Sequence, residues 1–423
     1  MFLFIYQPLH KRIARELYPF NCSHDWLPTA MNVLHVISSV NPETGGPIEV
    51  ITTSASILSE HGCHQEILSL DSPLDAWTKT AALPLHAMGI RDPRFLAWRT
   101  KIPWLRYGYT PHFVPWLKNN ANRYDAIIVH GLWNYVALGS WRALRKGKTP
   151  YFVYAHGMLD PYFNKVQPLK GAAKQILWWF SEGRLIAHAR NVFFATEEER
   201  RLARHSFWPF HCRDRVVAFG TRDVAGNAAT QIAAFHAMLP QLAGRPFLLF
   251  LGRIHPKKGC DLLIQAFAAV AKDKQLDLVM AGPDPTGWGN KLRTIAADLG
   301  VADRVHWPGM LSGDQKWGAF RAADAFVLPS HQENFGIVVA EAMACGKPVL
   351  TTDKVNTWRE VQDSGAGLIA NDDLEGITGL LKQFLELSVA DKQAMGQRAR
   401  LGFVEKFDIS TMAPQLIEAF RGK

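Results

Sequence analysis

The chain has 423 residues, 48% of them hydrophobic and 20% charged, which is longer than one domain usually runs and apolar enough to bury substantial cores. Its 47 Lys and Arg against 38 Asp and Glu leave a formal net charge of +9, which favours anionic partners such as phosphorylated substrates, an anionic membrane or nucleic acid. The basic residues are scattered, with no zinc-finger spacing, RNA-recognition signature or Arg-rich run, and this sets nucleic acid aside.

The opening MFLFIYQPL is broken at once by His10, Lys11, Arg12 and Arg15, unlike a secretory signal. Residues 1–30 therefore read as an N-terminal extension, either a small membrane-contacting anchor or the product of an upstream start. No later stretch has the uninterrupted apolar run that spans a bilayer. Cys22, Cys63, Cys212, Cys260 and Cys345 lie far apart and form no C-x-x-C pair, so neither a zinc site nor a disulfide framework is expected, and a reducing cytoplasm fits.

The first expected strand, VLHVIS, follows Met31 and runs into the turn NPETGGP and an apolar-periodic helix from Ile48 to Leu58. Short apolar runs recur at HQEILSL, DAIIVHG, PYFVYAHG, NVFFAT and RVVAF, separated by helical patterns such as Tyr135 to Arg145 and Leu169 to His188. After a polar stretch around Ala225 to Gly244 the pattern restarts with PFLLFLG, LDLVMAG, RVHWPG, DAFVLPS, KPVLTTD and AGLIA. Strand alternating with helix predicts an α/β protein of two doubly wound, Rossmann-like domains facing across a cleft. The expected division is residues 31–222, residues 223–405 and a last helix within 406–423 that crosses back to the first domain. Ligands on such sheets sit beyond the carboxyl ends of the strands.

Two segments at such ends can carry chemistry. The strand PFLLFLG meets Arg253 and then IHPKKG, with Lys257, Lys258 and Gly259, before a helix near Asp261. The guanidinium fork, a mobile ammonium and glycines that admit close backbone approach suit a diphosphate, while the alternative is a solvated basic loop capped by Asp261. The strand DAFVLPS is followed by HQENFGIVVAEAMACG, with Glu333 and Glu341 eight positions apart and Asn334, Phe335 and Gly336 at the expected helix start. Eight helical residues rise about 12 Å, too far for the close carboxylate pair of a retaining glycosidase, so the two acids read as grips on one extended ligand. The alternative is a surface glutamate at 341 and a helix-start charge at 333.

From Met31 onward the chain resembles the retaining GT-B glycosyltransferases of family 4 (glycosyl transferases group 1), a family rich in bacterial polysaccharide and lipopolysaccharide assembly enzymes. The resemblance is carried by the glycines at 45 and 46, GRIHPKKG, the turn Pro308 to Met310 and ENFGIVVAE. It implies that Gly46, Arg253 and Lys258 hold the donor diphosphate and that Glu333, Asn334, Phe335 and Gly336 contact the transferred sugar. It further implies that Glu341 binds the ribose, that Gly309 and Met310 read the base, and that His156 lies near the reacting sugar. His156 and Glu333 are the expected catalytic residues. His130, after another strand, reads equally well as structural. The implied reaction moves a hexose-type sugar from a UDP- or GDP-linked donor to a glycan or lipid-linked acceptor with retention. No metal and no cofactor are expected, since no D-x-D motif ends a strand.

The first domain interleaves Lys and Arg with Trp, Phe and Tyr in IRDPRFLAWRTKIPWLRYGYTPHFVPWLK and QPLKGAAKQILWWFSEGRLIAHA. These segments read either as a membrane surface on the cytoplasmic face or as core and acceptor groove with solvated cations. Two departures stand out. VVAFGTRDV replaces the usual Pro-Asn-Gly turn, and the lead-in to the last helix lacks an expected tryptophan. A nucleotide-sugar epimerase of the same fold, a non-catalytic sugar-nucleotide-binding subunit and a dinucleotide oxidoreductase are the rival readings. The last is disfavoured by NPETGGP, which has no G-x-G-x-x-G spacing.

Overall fold

The computed structural model describes residues 30–44, 46–272 and 274–422. The expectations for residues 1–29 and Gly45 fall outside that range. Thirteen strands are present among the described residues. β1 (Met31–Ile37), β2 (Cys63–Ser69), β3 (Leu85–Ala87), β4 (Ala126–His130), β5 (Tyr151–Tyr154), β6 (Asn191–Phe194) and β7 (Asp214–Val216) form one parallel sheet in the order β3-β2-β1-β4-β5-β6-β7. β8 (Phe247–Leu251), β9 (Asp277–Ala281), β10 (Val305–Gly309), β11 (Ala325–Leu328), β12 (Val349–Thr352) and β13 (Gly367–Ala370) form a second parallel sheet in the order β10-β9-β8-β11-β12-β13.

Helices cover both faces of each sheet, so central strands carry apolar residues without alternation; every residue of β4, AIIVH, and of β11, AFVL, is buried. The order of each sheet reverses once, between β1 and β4 in the first and between β8 and β11 in the second. A crevice opens beyond the strand ends at such a reversal. The basic loop follows β8 and the Glu333 segment follows β11, so the two candidate segments flank the second sheet's reversal.

Some local features depart from the sequence reading. The polar stretch between the sheets contains the helix Ala228–Met238, started by Asn227, whose side chain accepts from the N–H groups of Ala229 and Thr230. It packs on the helix Gly313–Ala322 so closely that a Cβ on Gly318 would stand 1.9 Å from the Gln231 carbonyl oxygen. The short edge strand β3 has too few residues to show a period. The run expected to be helical from Leu169 to His188 begins at Pro168 and passes through a π-helical turn, Trp178–Glu182.

Where the family's Pro-Asn-Gly turn is missing, Gly220 takes φ +52, and its missing Cβ leaves room for Ile409, whose Cα would lie 2.8 Å away. Thr221 N–H donates to Phe407 at 2.7 Å, and the helix Ile409–Phe420 then returns to the first domain. There Phe420 meets the rings of His35 and Phe193.

Candidate active site

The basic loop is a compact turn. The His255 ring accepts from Lys257 N–H at 3.1 Å and starts a 3-10 turn over Pro256–Lys258. Gly259 ends it with φ +63, in a place where a Cβ would strike the Pro329 carbonyl oxygen at 2.1 Å. That contact presses the loop against the end of β11, where the acidic segment begins, and brings Lys258 into an ion pair with Glu333. Arg253 stays exposed at the end of β8. Burial lowers the Lys257 ammonium, as do the nearby Lys258 and Arg253 charges, while Glu333 and Asp160 oppose them. Burial alone would raise the Glu333 carboxyl, but the Lys258 ammonium, with Lys257 and the Asn334 N–H, brings it below its ordinary value. The carboxylate is therefore charged at neutral pH.

Asn334, Phe335 and Gly336 form the turn into the helix Ile337–Ala344, with Gly336 at its start in the left-handed region, φ +62. Phe335 is buried and packs edge-on to Phe219 and Phe407, which anchors the turn to the crossover between domains. Glu341 is buried rather than superficial, which removes the surface reading. Its Oε1 accepts from Lys316 Nζ at 2.5 Å, whereas its buried Oε2 has no hydrogen-bond partner. Burial raises its carboxyl, and the Lys316 ammonium pulls it back. Lys316 stands on the helix that follows the turn at Gly309, where φ is +77, and the exposed Met310. The sites expected for base and ribose are thus tied together by one ion pair.

The first domain approaches from the other side. Gly46 is exposed, at φ +56, and starts the helix Pro47–Glu60. Glu49 of that helix adds a repulsion that raises the Glu341 carboxyl, so this helix start faces the Glu341 region. His156 and Gly157 both take positive φ beyond β5, at +51 and +73. The half-buried His156 ring stacks on Phe219 with centroids 5.0 Å apart. His130 is buried behind it, its Nδ1 2.9 Å from His156 Nε2.

Several residues that hold the site together were not singled out from the sequence. Glu199 is buried and accepts from Gly157 N–H at 2.6 Å and Ala195 N–H at 2.7 Å. Burial pushes its carboxyl up to about 7 in spite of those donors. The motif Thr196-x-x-Glu199, which forms a helix start, was the signal available. Gln332 donates to Asp160 at 2.7 Å and Arg359 pairs with Glu198 at 2.8 Å, both across the domain boundary. Lys316, His35 and Gln65 carried no local signal. Among the described residues no group of three His, Cys, Asp or Glu is placed to hold a metal ion, and no helix is long and apolar enough to cross a membrane.

Two parallel-sheet domains, with a cation loop and an acid-flanked helix start at the reversal of the second, define a GT-B architecture. Residues 45–220 match the family described as Glycosyl transferase 4-like domain, and residues 234–402 match Glycosyl transferases group 1. Between them the two matches cover most of the chain, one in each domain.

Among curated proteins the chain is similar to D-inositol 3-phosphate glycosyltransferases. It is 32% identical to that of Nocardia farcinica over 195 residues, 44% of this chain and 43% of the relative. It is 33% identical to that of Rhodococcus jostii over 207 residues, 47% of this chain and 44% of the relative. The aligned part thus spans less than half the length of these relatives. Among solved structures, sucrose-phosphate synthase from Thermosynechococcus elongatus superposes with a TM-score of 0.69 at 18% identity, over 92% of this chain and 98% of that one. HepE from Anabaena in complex with UDP and glucose gives 0.67 at 20% identity, over 92% and 99%. These likenesses establish the shared fold.

Proposed function

We propose that the chain transfers a hexose-type sugar, with retention, from a uridine or guanosine diphosphate sugar to a glycan or lipid-linked acceptor of polysaccharide or lipopolysaccharide assembly. The observation that carries this reading is the half-satisfied Glu341, whose buried Oε2 lacks a donor beside Lys316 while Lys258 and Glu333 pair just before the start of the same helix. A buried oxygen without a donor is costly, and two ribose hydroxyls supply the missing donors. HepE, solved with UDP and glucose, makes UDP the first ligand to test.

In the proposed step the bond from the anomeric carbon to the diphosphate oxygen breaks and the acceptor oxygen bonds to the same face. The acceptor's proton passes to the leaving diphosphate. Arg253, Lys258 and the N–H groups at the start of the helix Ile337–Ala344 stabilise the charge that develops on the leaving group. Glu333, Asn334 and Gly336 orient the sugar, and His156 contacts it. The test is calorimetric titration with UDP and GDP, followed by transfer assays with and without EDTA. Saturable binding of one nucleotide and EDTA-insensitive transfer support the reading; binding of neither removes the donor site.

The acceptor reading favours a lipid carrier. Leu169 is 88% exposed and Trp208 74%, and Trp104 and Phe180 also face solvent. The Trp208 carbonyl accepts from Gln175 and Trp179, which places Trp208 beside the helix that carries Leu169, Lys170 and Lys174. Aromatic rings among ammonium groups suit the headgroup layer of an anionic bilayer. Sedimentation with vesicles containing phosphatidylglycerol checks it, with retention on anionic but not neutral vesicles expected. The names of the curated relatives point instead to an inositol phosphate acceptor, and both acceptor classes belong in the same transfer assay.

A further inference from the structure

Three histidines of the first domain stand in a file across adjacent strands. His35 lies on β1, His130 ends β4 and His156 follows β5, while Gln65 lies on β2; the sheet order β2-β1-β4-β5 makes the four neighbours. Register aligns His35 with Ile128 and His130 with Tyr154, so the rings meet near the strand ends. Gln65 Oε1 is 3.1 Å from His35 Nε2, His35 Nδ1 is 2.9 Å from His130 Nε2, and His130 Nδ1 is 2.9 Å from His156 Nε2. Gln65, His35 and His130 are buried and only His156 reaches the cleft surface. Burial lowers His35 to about 4, His130 well below its ordinary value and His156 to about 3, so all three rings are neutral at physiological pH.

A neutral imidazole has one N–H and one lone pair, so a file of such rings must run in a single direction. The Gln65 amide decides which. Its Nε2 donates to the Ala55 carbonyl at 3.1 Å, an acceptor only, and this turns Oε1 toward His35. His35 must then carry its proton on Nε2, accept at Nδ1 from His130 Nε2–H, and leave His130 Nδ1 to accept from His156 Nε2–H. The lone pair of His156 is thereby fixed on Nδ1. The far end is a carboxamide, which neither gives nor takes a proton near neutrality, so the file orients a ring rather than conducting protons.

We propose that Gln65, His35 and His130 are positioning residues that hold His156 as a hydrogen-bond acceptor at Nδ1 for a substrate hydroxyl. The inference rests on the sugar-transfer reading only for the identity of that hydroxyl. A ring fixed this way favours substrates that present an O–H to it and disfavours analogues bearing an ether or fluorine there, because a lone pair has no partner in those groups.

The primary test uses the wild-type protein labelled with 15N-histidine, its signals assigned through single histidine variants. Nitrogen shifts report the tautomer of each ring. Nε2–H tautomers at all three positions are expected, and an Nδ1–H tautomer at any of them overturns the file. The second test is Gln65→Leu, which removes the acceptor at the buried end without touching the cleft. It should give a mixed His156 tautomer and lower kcat about tenfold, the scale of one misdirected hydrogen bond, with the donor KM within about twofold because nucleotide contacts are untouched. Gln65→Glu in its protonated form, with its O–H donated to the Ala55 carbonyl and its other oxygen facing His35, should restore the tautomer and most of kcat. A folded Gln65→Leu variant with unchanged tautomer and kcat rejects the proposal. If the wild-type tautomers are as expected but no sugar is transferred from any donor, the lock stands and the functional reading fails.

Discussion

Gly157 of the first domain lies against Asn334 of the second so tightly that a Cβ on the glycine would stand 2.6 Å from Asn334 Cγ and 2.7 Å from its Cβ. The contact joins the turn carrying His156 to the turn that starts the helix Ile337–Ala344. Since Gly157 also holds φ +73 and donates to Glu199, its conformation and its emptiness both matter. Gly157→Ala must adopt a backbone disfavoured for L-residues and displace Asn334, costing about 1–3 kcal/mol of stability. Transfer should fall at least about tenfold, since a 1 Å misplacement is enough for that. UDP affinity should change less than turnover, because the atoms nearest the added Cβ all belong to Asn334 and none to Arg253 or Glu341. Melting curves, calorimetry and initial rates on one preparation decide it, and undiminished turnover would show that the two turns need not touch.

The Lys258 and Glu333 pair is a different kind of contact, because each partner makes the other's burial tolerable. Removing Lys258 alone leaves Glu333 with Lys257 as its remaining cation and burial pushing its carboxyl upward. Lys258→Met should therefore cost about 2–4 kcal/mol, and the double variant Lys258→Met with Glu333→Gln less than the sum of the singles. Urea unfolding of the four proteins measures the coupling. Strict additivity would mean that the pair contributes nothing to the fold.

The two-domain plan was legible in the sequence because parallel strands buried on both faces are written as short continuous apolar runs, as in AIIVH and AFVL. The placement of Arg253, Lys258 and Glu333 beyond strand ends was legible for the same reason, since they follow such runs. What escaped was set by contacts between distant segments. Nothing near Lys316 signals that it meets Glu341, and Gln65 is an ordinary strand residue until β2 lies beside β1. The partners of His130 are likewise defined only by strand order. The burial of Glu341 depends on the packing of its short, almost wholly apolar helix, where no polar face marks an outside.

Glu341 offers a direct test of the donor reading. Glu341→Gln keeps the shape but loses the charge-assisted acceptor, and nucleotide affinity should weaken about tenfold; Glu341→Ala should weaken it about a hundredfold. Lys316→Met removes the charge that opposes burial, so the Glu341 carboxyl rises further and the site takes up a proton more readily. Nucleotide binding by that variant should then weaken as pH falls, more steeply than in wild type. Parallel pH profiles of the two would separate Lys316 from a purely structural support.

Glu182 supplies a stability prediction independent of catalysis. It ends the π-helical turn with no exposed surface and with neither carboxylate oxygen hydrogen-bonded, and burial pushes its carboxyl up to about 7 against the pull of the Lys174 ammonium. The folded chain therefore binds a proton at Glu182 that the unfolded chain has already released between about pH 4.5 and 7. Stability falls as pH rises through that window, and the whole cost, about 3 kcal/mol for a shift of this size, is present above pH 7. Glu182→Gln resembles the protonated side chain at every pH. It should be more stable than wild type by about 2–3 kcal/mol at pH 8.5, and most of that gain should vanish by pH 5, where wild type carries its own proton. Urea midpoints at the two pH values measure the difference. A variant less stable than wild type at pH 8.5 would mean that the charged carboxylate is held by its neighbours, which would reverse the assignment of burial as the dominant influence on Glu182.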